Sequence, residues 1–439
     1  MKTDKEKRTI IINKCYSSSV NYIHDIRELG FEPVLLEPYF ENPEVARVVH
    51  EDYEHAYSLN GDSHPLVIFE GKEYEETLEK VKEFNPLLIL PGCDSGIELA
   101  LRLSDDLELK GNPYSAFLNM RDKYRMQETL RMKGIQYAHT VLLKSENDAI
   151  TFFKSMKGKK VVYKSTRGSA TEGVHICSSE DEVKRAYNDV GIYLVNHNCP
   201  GEQILGQEYL EGIEYALDTV SCCGRHVALY GWRYQKRILE GYATLYDRTI
   251  YISPADGEYF EITEYVFSVL SALGIQYGPV HSEVIVTDSG PVLVEVNCRP
   301  GGGAQKYTFQ DKLMQQHETL VSLHSYLMNP EDFRALYPEK MSLKQSAAQK
   351  DICINKEIKV KTARLDEACG GLKSFDYAIS AGDNRIYPVT TNLTNVGGTV
   401  YLTCDDEKQL NEDLDYISRL EKEHPELLFE IDNGTQQET

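Results

Sequence analysis

Val280-His281-Ser282-Glu283-Val284-Ile285-Val286-Thr287, then Asp288-Ser289-Gly290, then Pro291-Val292-Leu293-Val294-Glu295-Val296-Asn297 reads as two β-branched strands joined by a three-residue turn. Side chains alternate along a strand, so His281 and Glu283 share one face of the first arm, and Glu295 and Asn297 share one face of the second. A turn centred on Ser289 sets Glu283 opposite Glu295 and His281 opposite Asn297. Like charges placed opposite each other in a sheet repel, and such a pair needs a cation between them. Glu283, Glu295 and Asn297 offer hard oxygen ligands suited to Mg²⁺. An exposed hairpin whose outer face is acidic is the other reading of the same residues. Immediately beyond, Cys298-Arg299-Pro300-Gly301-Gly302-Gly303 adds an obligatory cation and three glycines where backbone can approach a ligand closely.

Two upstream stretches have related chemistry. Val161-Val162-Tyr163-Lys164 reads as a strand that delivers a lysine to the small, hydroxyl-rich loop Ser165–Gly173, and a second strand, Val174–Cys177, follows. Backbone N–H groups and hydroxyls in such a loop can cradle phosphate oxygens, with Lys164 as a point charge. The Gly-Lys-Ser/Thr ending of a Walker A loop is missing, and a surface hairpin with a glycine-rich turn competes with the phosphate reading. Gln207–Val220 begins as a strand, turns at Gly212 and resumes with alternating polar and apolar residues. Backbone at that hinge can meet a purine edge, and a carboxylate just past it can accept from ribose hydroxyls or simply face water.

Lys123 in Asn119-Met120-Arg121-Asp122-Lys123-Tyr124, Lys164 with its loop, Glu208 and Glu214, and then Glu283, Glu295 and Asn297 followed by Arg299 occur in an order that resembles the ATP-grasp superfamily of carboxylate–amine ligases, over residues 1–310. The His281/Glu283 strand and Asn297–Gly303 are most similar to the L-amino acid ligases and carnosine-synthase-like amide ligases. The resemblance implies ATP as cofactor. Lys123 and Lys164 would hold its α- and β-phosphates, and the 166–173 loop, with Gly168, Ser169 and Gly173, would close over the β- and γ-phosphates. Glu208, Tyr209 and Leu210 would meet adenine, and Glu214 the ribose. Glu283, Glu295 and Asn297 would bind two Mg²⁺ ions, or Mn²⁺ in their place. Arg299 would sit beside an acyl phosphate and His281 would line the substrate pocket. In the aromatic and basic stretch Leu229–Arg237, Lys236 and Arg237 would contact the γ-phosphate or a carboxylate, with strand packing as the alternative. The chain departs from the pattern at Lys164-Ser165-Thr166-Arg167-Gly168, where many relatives carry Lys-Pro or a plainer loop; Arg167 adds charge at the γ-phosphate or points to water.

The implied reaction transfers the γ-phosphoryl group of ATP to a carboxylate, and an amine then displaces phosphate from the acyl phosphate. Positioning and charge neutralisation serve the first step, and Arg299 can stabilise the oxyanion of the second. His281 is the base by residue type, or else a structural histidine bonded to Asn297. The partners expected are a small-molecule carboxylate and an amine, the latter free or borne on a peptide or carrier protein. The competing functions are a purine-pathway or biotin-carboxylase-like member of the superfamily, and a nucleotide-binding regulatory protein that has lost turnover.

At 439 residues the chain predicts about three domains. The net charge of −22 argues against nucleic acid or an anionic membrane surface as a partner. No stretch approaches the ~18 apolar residues of a membrane helix, and Met1–Arg8 lacks a signal-peptide core, so a cytoplasmic protein is expected. The ten cysteines lack metal spacing and read as reduced thiols. The fold class expected is α/β and α+β: a doubly wound parallel sheet in residues 1–118, an ATP-grasp domain in 119–325 and a C-terminal α+β subdomain with a disordered tail in 326–439. Strands at 9–13, 32–36, 65–69 and 86–90 alternate with helices at 17–29 and 74–84. Pro91–Gly96 follows the last of these strands, where α/β sheets bind ligands, and is equally a helix cap at Asp94 or Ser95. Further on, 332–337 and 341–350 read as helical or irregular, 357–360, 387–389 and 399–403 as strands, and 405–421 as an amphipathic helix. A homodimer is the default oligomer.

Overall fold

The computed structural model describes residues 9–58, 65–168, 173–196, 201–238, 244–391 and 395–432; the tail expected at 433–439 lies outside them. Strands β1 (Thr9–Asn13), β2 (Glu32–Glu37), β3 (Leu66–Phe69) and β4 (Pro86–Pro91) form a parallel sheet in the order β3-β2-β1-β4. Its central strand, Thr-Ile-Ile-Ile-Asn, is buried along its whole length because both faces are covered. Ile10 and Ile12 pack with helix Asn21–Glu28 and with Leu323 and Tyr326 from far along the chain. Ile11 packs on the other side with Val81, Ala100 and Leu103, from helices Tyr74–Lys82 and Ile97–Asp106.

A second sheet, β5 (Thr140–Leu143), β6 (Val161–Ser165), β7 (His175–Cys177) and β8 (Ile204–Glu208), is antiparallel in the order β5-β8-β6-β7. Helices Glu146–Ser155 and Glu180–Asn196 back it through Phe152, Val183, Ala186 and Val190.

The largest sheet begins with β9 (Ile213–Cys222), β10 (Arg225–Ile238), β11 (Thr244–Ile252), β12 (Tyr277–Thr287) and β13 (Gly290–Asn297). It continues past residue 326 with β14 (Ser346–Ile352), then β16 (Phe375–Ser380) and β18 (Gly398–Cys404). The order is β13-β12-β9-β10-β11-β14-β18-β16, antiparallel throughout. A small sheet of β15 (Ile358–Ala363), β17 (Arg385–Tyr387) and β19 (Phe429–Ile431) completes the C-terminal region, with helix Glu407–Glu423 packed beside it. Helices Lys123–Lys133 and Phe260–Leu273 cover one face of the large sheet. Tyr307–Met314 and Glu318–Leu327 pack on the other.

The C-terminal reading needs correction. Residues 341–350, expected to be helical or irregular, contain most of β14, and β16 was not anticipated. The reason is Lys350. A lysine ordinarily marks surface, but this one is fully buried, with its ammonium 2.6 Å from Glu421 and 3.0 Å from Asp247. Among the described residues no helix is long and apolar enough to cross a membrane, and every cysteine is free.

Candidate active site

The hairpin β12–β13 turns more tightly than its sequence suggests. Thr287 pairs with Gly290, so the turn contains only Asp288 and Ser289, and Gly290 opens β13 with φ +102°. An unbroken ladder from there would set Glu283 against Val294. A β-bulge between Glu283 and Val284 in the pairing shifts the register by one residue, and Glu283 then faces Glu295 and His281 faces Asn297. The bulge also reverses the facing of β13: Leu293 and Val296 both lie in the core under helix Phe260–Leu273, while Glu295 and Asn297 point away from it.

The pair of carboxylates already has a cation. Lys123, the first residue of its helix, places Nζ 2.5 Å from Glu295 Oε2 and donates to the Gly168 carbonyl at 2.6 Å. Burial raises the Glu283 pKa, with the Glu295 charge adding to it and the His281 hydrogen bond opposing. Burial acts on Glu295 in the same sense, but Lys123 and then Lys164 override it and hold that carboxyl below its usual range. Lys164, at the end of β6, is pushed down to about 8 by burial and by Lys123, against the pull of Glu295, Glu283 and Glu214. Glu214, early in β9, accepts from the Tyr246 hydroxyl at 2.5 Å and is paired with Lys236. Tyr246 stacks on Tyr234 with ring centroids 4.2 Å apart. No group of three or more His, Cys, Asp or Glu side chains with metal-site geometry occurs among the described residues. Two carboxylates with an amide nevertheless fit Mg²⁺, which keeps several waters and takes phosphate oxygens for the rest of its shell.

His281 is not bonded to Asn297. Its Nδ1 lies 2.5 Å from Asp218 Oδ1 on the neighbouring strand β9, and its Nε2 lies 3.5 Å from Glu283. Burial would lower its pKa, but the charge and hydrogen bond of Asp218, with the hydrogen bond to Glu283, raise it to about 10. The contact with Asp218 fixes the imidazole from the neighbouring strand rather than across the hairpin. Asp218 also explains Gly301: a Cβ there would stand 2.2 Å from Asp218 Oδ2. The Gly301 N–H donates to both oxygens of the buried Glu318, at 3.0 and 3.2 Å. Burial and the nearby Asp218 raise the Glu318 pKa well above the usual carboxylate range.

Arg299 reaches back to the segment just after β4. Its Nε and Nη2 donate to Asp94 at 3.2 and 3.1 Å, and its Nη1 donates to the Pro300 carbonyl. Burial would raise Asp94, but Arg299 and then Arg121 hold its pKa low. Ser17, Ser18 and Asn21, just after β1, clamp the following loop. Ser17 Oγ accepts from the Ala304 N–H at 2.9 Å, Ser18 Oγ from the Gln305 N–H at 3.1 Å, and the Asn21 amide donates to the Gln305 carbonyl at 2.8 Å.

Lys123, Lys164, Glu214, Lys236, His281, Glu283, Glu295, Asn297 and Arg299 thus converge. Gly168 joins them through Lys123, whereas Ser169 lies outside the described residues. Gly173, at φ +65°, packs against the Tyr193 ring instead. Glu208 accepts from the His139 N–H at 2.7 Å, and the neighbouring Tyr209 and Leu210 form the hinge between the second sheet and the large one. Arg237 is corrected: strand alternation turns it away from Lys236 toward Glu421, 2.6 Å away. Arg167 faces Glu98 at 3.8 Å. Sequence reasoning missed Asp218, Glu318 and Tyr246; Asp218 alone left a signal, since it lies two alternations beyond Glu214 on β9.

Residues 158–307 match the ATP-grasp domain family. Over 328 residues it is 26% identical to dapdiamide A synthase from Enterobacter agglomerans, covering 74% of this chain and 75% of that one. It is 28% identical over 196 residues to the L-arginine-specific L-amino acid ligase of Bacillus subtilis, covering 44% and 47%. Among solved structures, an L-amino acid ligase from Bacillus licheniformis superposes with TM-score 0.73 at 14% identity, over 94% of this chain and 97% of that one.

Proposed function

We propose that the chain is an ATP-dependent, ADP-forming ligase that joins the carboxylate of an amino acid to an amine through an acyl phosphate. The observation that carries this reading is the convergence of Glu283 and Glu295 with Lys123, Lys164 and Arg299 beside the Gly168 carbonyl. Glu283, Glu295 and Asn297 would hold Mg²⁺, which when bound neutralises phosphate charge. Lys123 and Lys164 bind the α- and β-phosphates, Glu208–Leu210 lines the adenine and Glu214 takes the ribose hydroxyls once Lys236 releases it to the phosphates. Arg299, oriented by Asp94, stabilises the oxyanion as the amine attacks. His281, anchored on Asp218, faces Glu283 and lines the substrate pocket. The substrates are small molecules, and the setting is cytoplasmic. Resemblance to an L-arginine-specific L-amino acid ligase over 47% of its length, beside that to dapdiamide A synthase over 75% of its length, supports the choice of substrate class.

Hydroxylamine trapping tests the proposal. With ATP and Mg²⁺, a panel of amino acids is expected to yield hydroxamates for one or a few members, with stoichiometric ADP, and Glu295→Gln is expected to abolish both. Absence of hydroxamate and of ADP above background across the panel, in folded protein, would refute it.

A further inference from the structure

Glu295 must accept a divalent ion if the proposed function is right, yet its carboxylate is already in use. Lys123 Nζ sits 2.5 Å from Oε2, inside hydrogen-bond distance, and the lysine is buried. An ammonium so placed occupies the space a metal would need, and the repulsion between the two cations over one oxygen is severe at low dielectric. We propose that Lys123 is the built-in counter-ion of the metal carboxylates, so that the divalent ion enters only together with the nucleotide. This inference rests on the reading of Glu283 and Glu295 as the metal pair.

The geometry allows an exchange without refolding. The Lys123 backbone is pinned, because its N–H donates to the Thr166 carbonyl at 2.8 Å and Asp122 caps the helix by accepting from the Arg125 N–H at 3.0 Å. Only the flexible stem has to swing. Its second anchor, the Gly168 carbonyl, belongs to the loop expected to close over phosphates. A phosphate oxygen arriving there offers the ammonium a new anionic partner. As Nζ moves to it, Glu295 is freed for the ion that accompanies the nucleotide. Lys236 guards Glu214 in the same way, so the ribose carboxylate and the metal carboxylate are both held by lysines until nucleotide arrives.

Mn²⁺ uptake by the full chain, read by electron paramagnetic resonance, tests the exchange without relying on turnover. The wild type alone should take up no Mn²⁺ at its carboxylate pair, and ADP should switch uptake on. Lys123→Met should take up Mn²⁺ without nucleotide at least tenfold more tightly than the wild type, and adding Glu295→Gln should remove that uptake. Lys123→Gln repeats the measurement should the methionine variant fail to fold, and the wild type with and without ADP stands as a comparison by itself. Nucleotide-free wild type that binds Mn²⁺ as tightly as in the presence of ADP, with the binding lost in Glu295→Gln, overturns the counter-ion role and leaves the metal assignment intact. No uptake in the wild type even with ADP overturns both the metal assignment and the inference built on it.

Discussion

Gly301→Ala probes the narrowest point of the site. A Cβ at position 301 would lie 2.2 Å from Asp218 Oδ2 and 3.1 Å from its Cγ. An ordinary contact is about 3.5 Å, so something must move by roughly 1 Å. Asp218 cannot retreat without breaking its 2.5 Å contact with His281, and it is buried on strand β9 in the middle of the large sheet. The loop must therefore lift. Lifting it stretches the two hydrogen bonds from the Gly301 N–H to Glu318. Overpacking and the weakened bonds together cost roughly 2–4 kcal/mol. Arg299 is two residues upstream, and a displacement near 1 Å of a group that must meet the transition state costs about 100-fold in rate. The expected result is a drop of about that size in kcat for ADP release, with KM for ATP changed less than threefold, because Lys164, Glu208 and Glu214 lie on other strands. Urea unfolding should show the loss of stability, whereas Gly302→Ala, whose Cβ meets nothing within 4 Å, should leave stability near the wild type. Wild-type turnover and stability in Gly301→Ala would refute the close approach of loop and Asp218.

Asp94→Asn removes the charge that anchors Arg299 through two hydrogen bonds; kcat is expected to fall about 10- to 100-fold at nearly constant KM for ATP, and steady-state kinetics in which KM rises instead would contradict the positioning role. Lys350→Met removes the buried ammonium shared by Glu421 and Asp247 but leaves Arg237 on both carboxylates, and should destabilise the fold by about 1.5–3 kcal/mol in urea titrations; unchanged stability would contradict the buried pairing. His317 lies between Asp25 and Asp311 at 2.7 and 2.8 Å; burial would lower its pKa, but hydrogen bonds to the two carboxylates raise it to about 9. A pKa raised on folding stabilises fully below the unfolded value of about 6.5 and is lost as pH rises through about 9, so this group should contribute at most about 3 kcal/mol at pH 6 that fades by pH 9.5. Denaturation across that range should show the fading in the wild type and its absence in His317→Gln; identical pH profiles would rule it out.

The opposed glutamates were legible for a reason that was only partly right. A three-residue turn and a two-residue turn with one bulge give the same parity at Glu283 and Glu295, so the pairing emerges from either. The bulge itself cannot be read from Leu293-Val294-Glu295, because a β-branched residue at 294 fits a straight strand equally well. The parallel sheet was legible because strands buried on both faces are unbroken apolar runs, as in Thr9–Asn13. Asp218 and Glu318 were not, since their importance comes from neighbours 63 and 17 residues away, His281 and Gly301. The strand at 346–352 was hidden by the same effect. Its lysine is neutralised by Asp247 and Glu421, 103 and 71 positions distant, and no local pattern reports a partner so far off.

Charge pairing in the site also bears on how nucleotide and metal affect each other. Each of Lys123, Lys236, His281 and Arg299 is held by a carboxylate, Glu295, Glu214, Asp218 and Asp94 in turn. A chain with net charge −22 would otherwise repel a triphosphate, and free buried cations would be costly to keep. Pairing removes both problems, because binding becomes an exchange of partners rather than the creation of new charge contacts. The exchange at Lys123 leaves Glu295 bare unless an ion replaces the lysine, and a bare buried carboxylate opposite Glu283 is strongly disfavoured. Nucleotide without metal therefore binds against that penalty, and metal without nucleotide binds against Lys123. Linkage makes the two effects equal in size: whatever factor ADP adds to Mn²⁺ affinity, Mn²⁺ must add to ADP affinity.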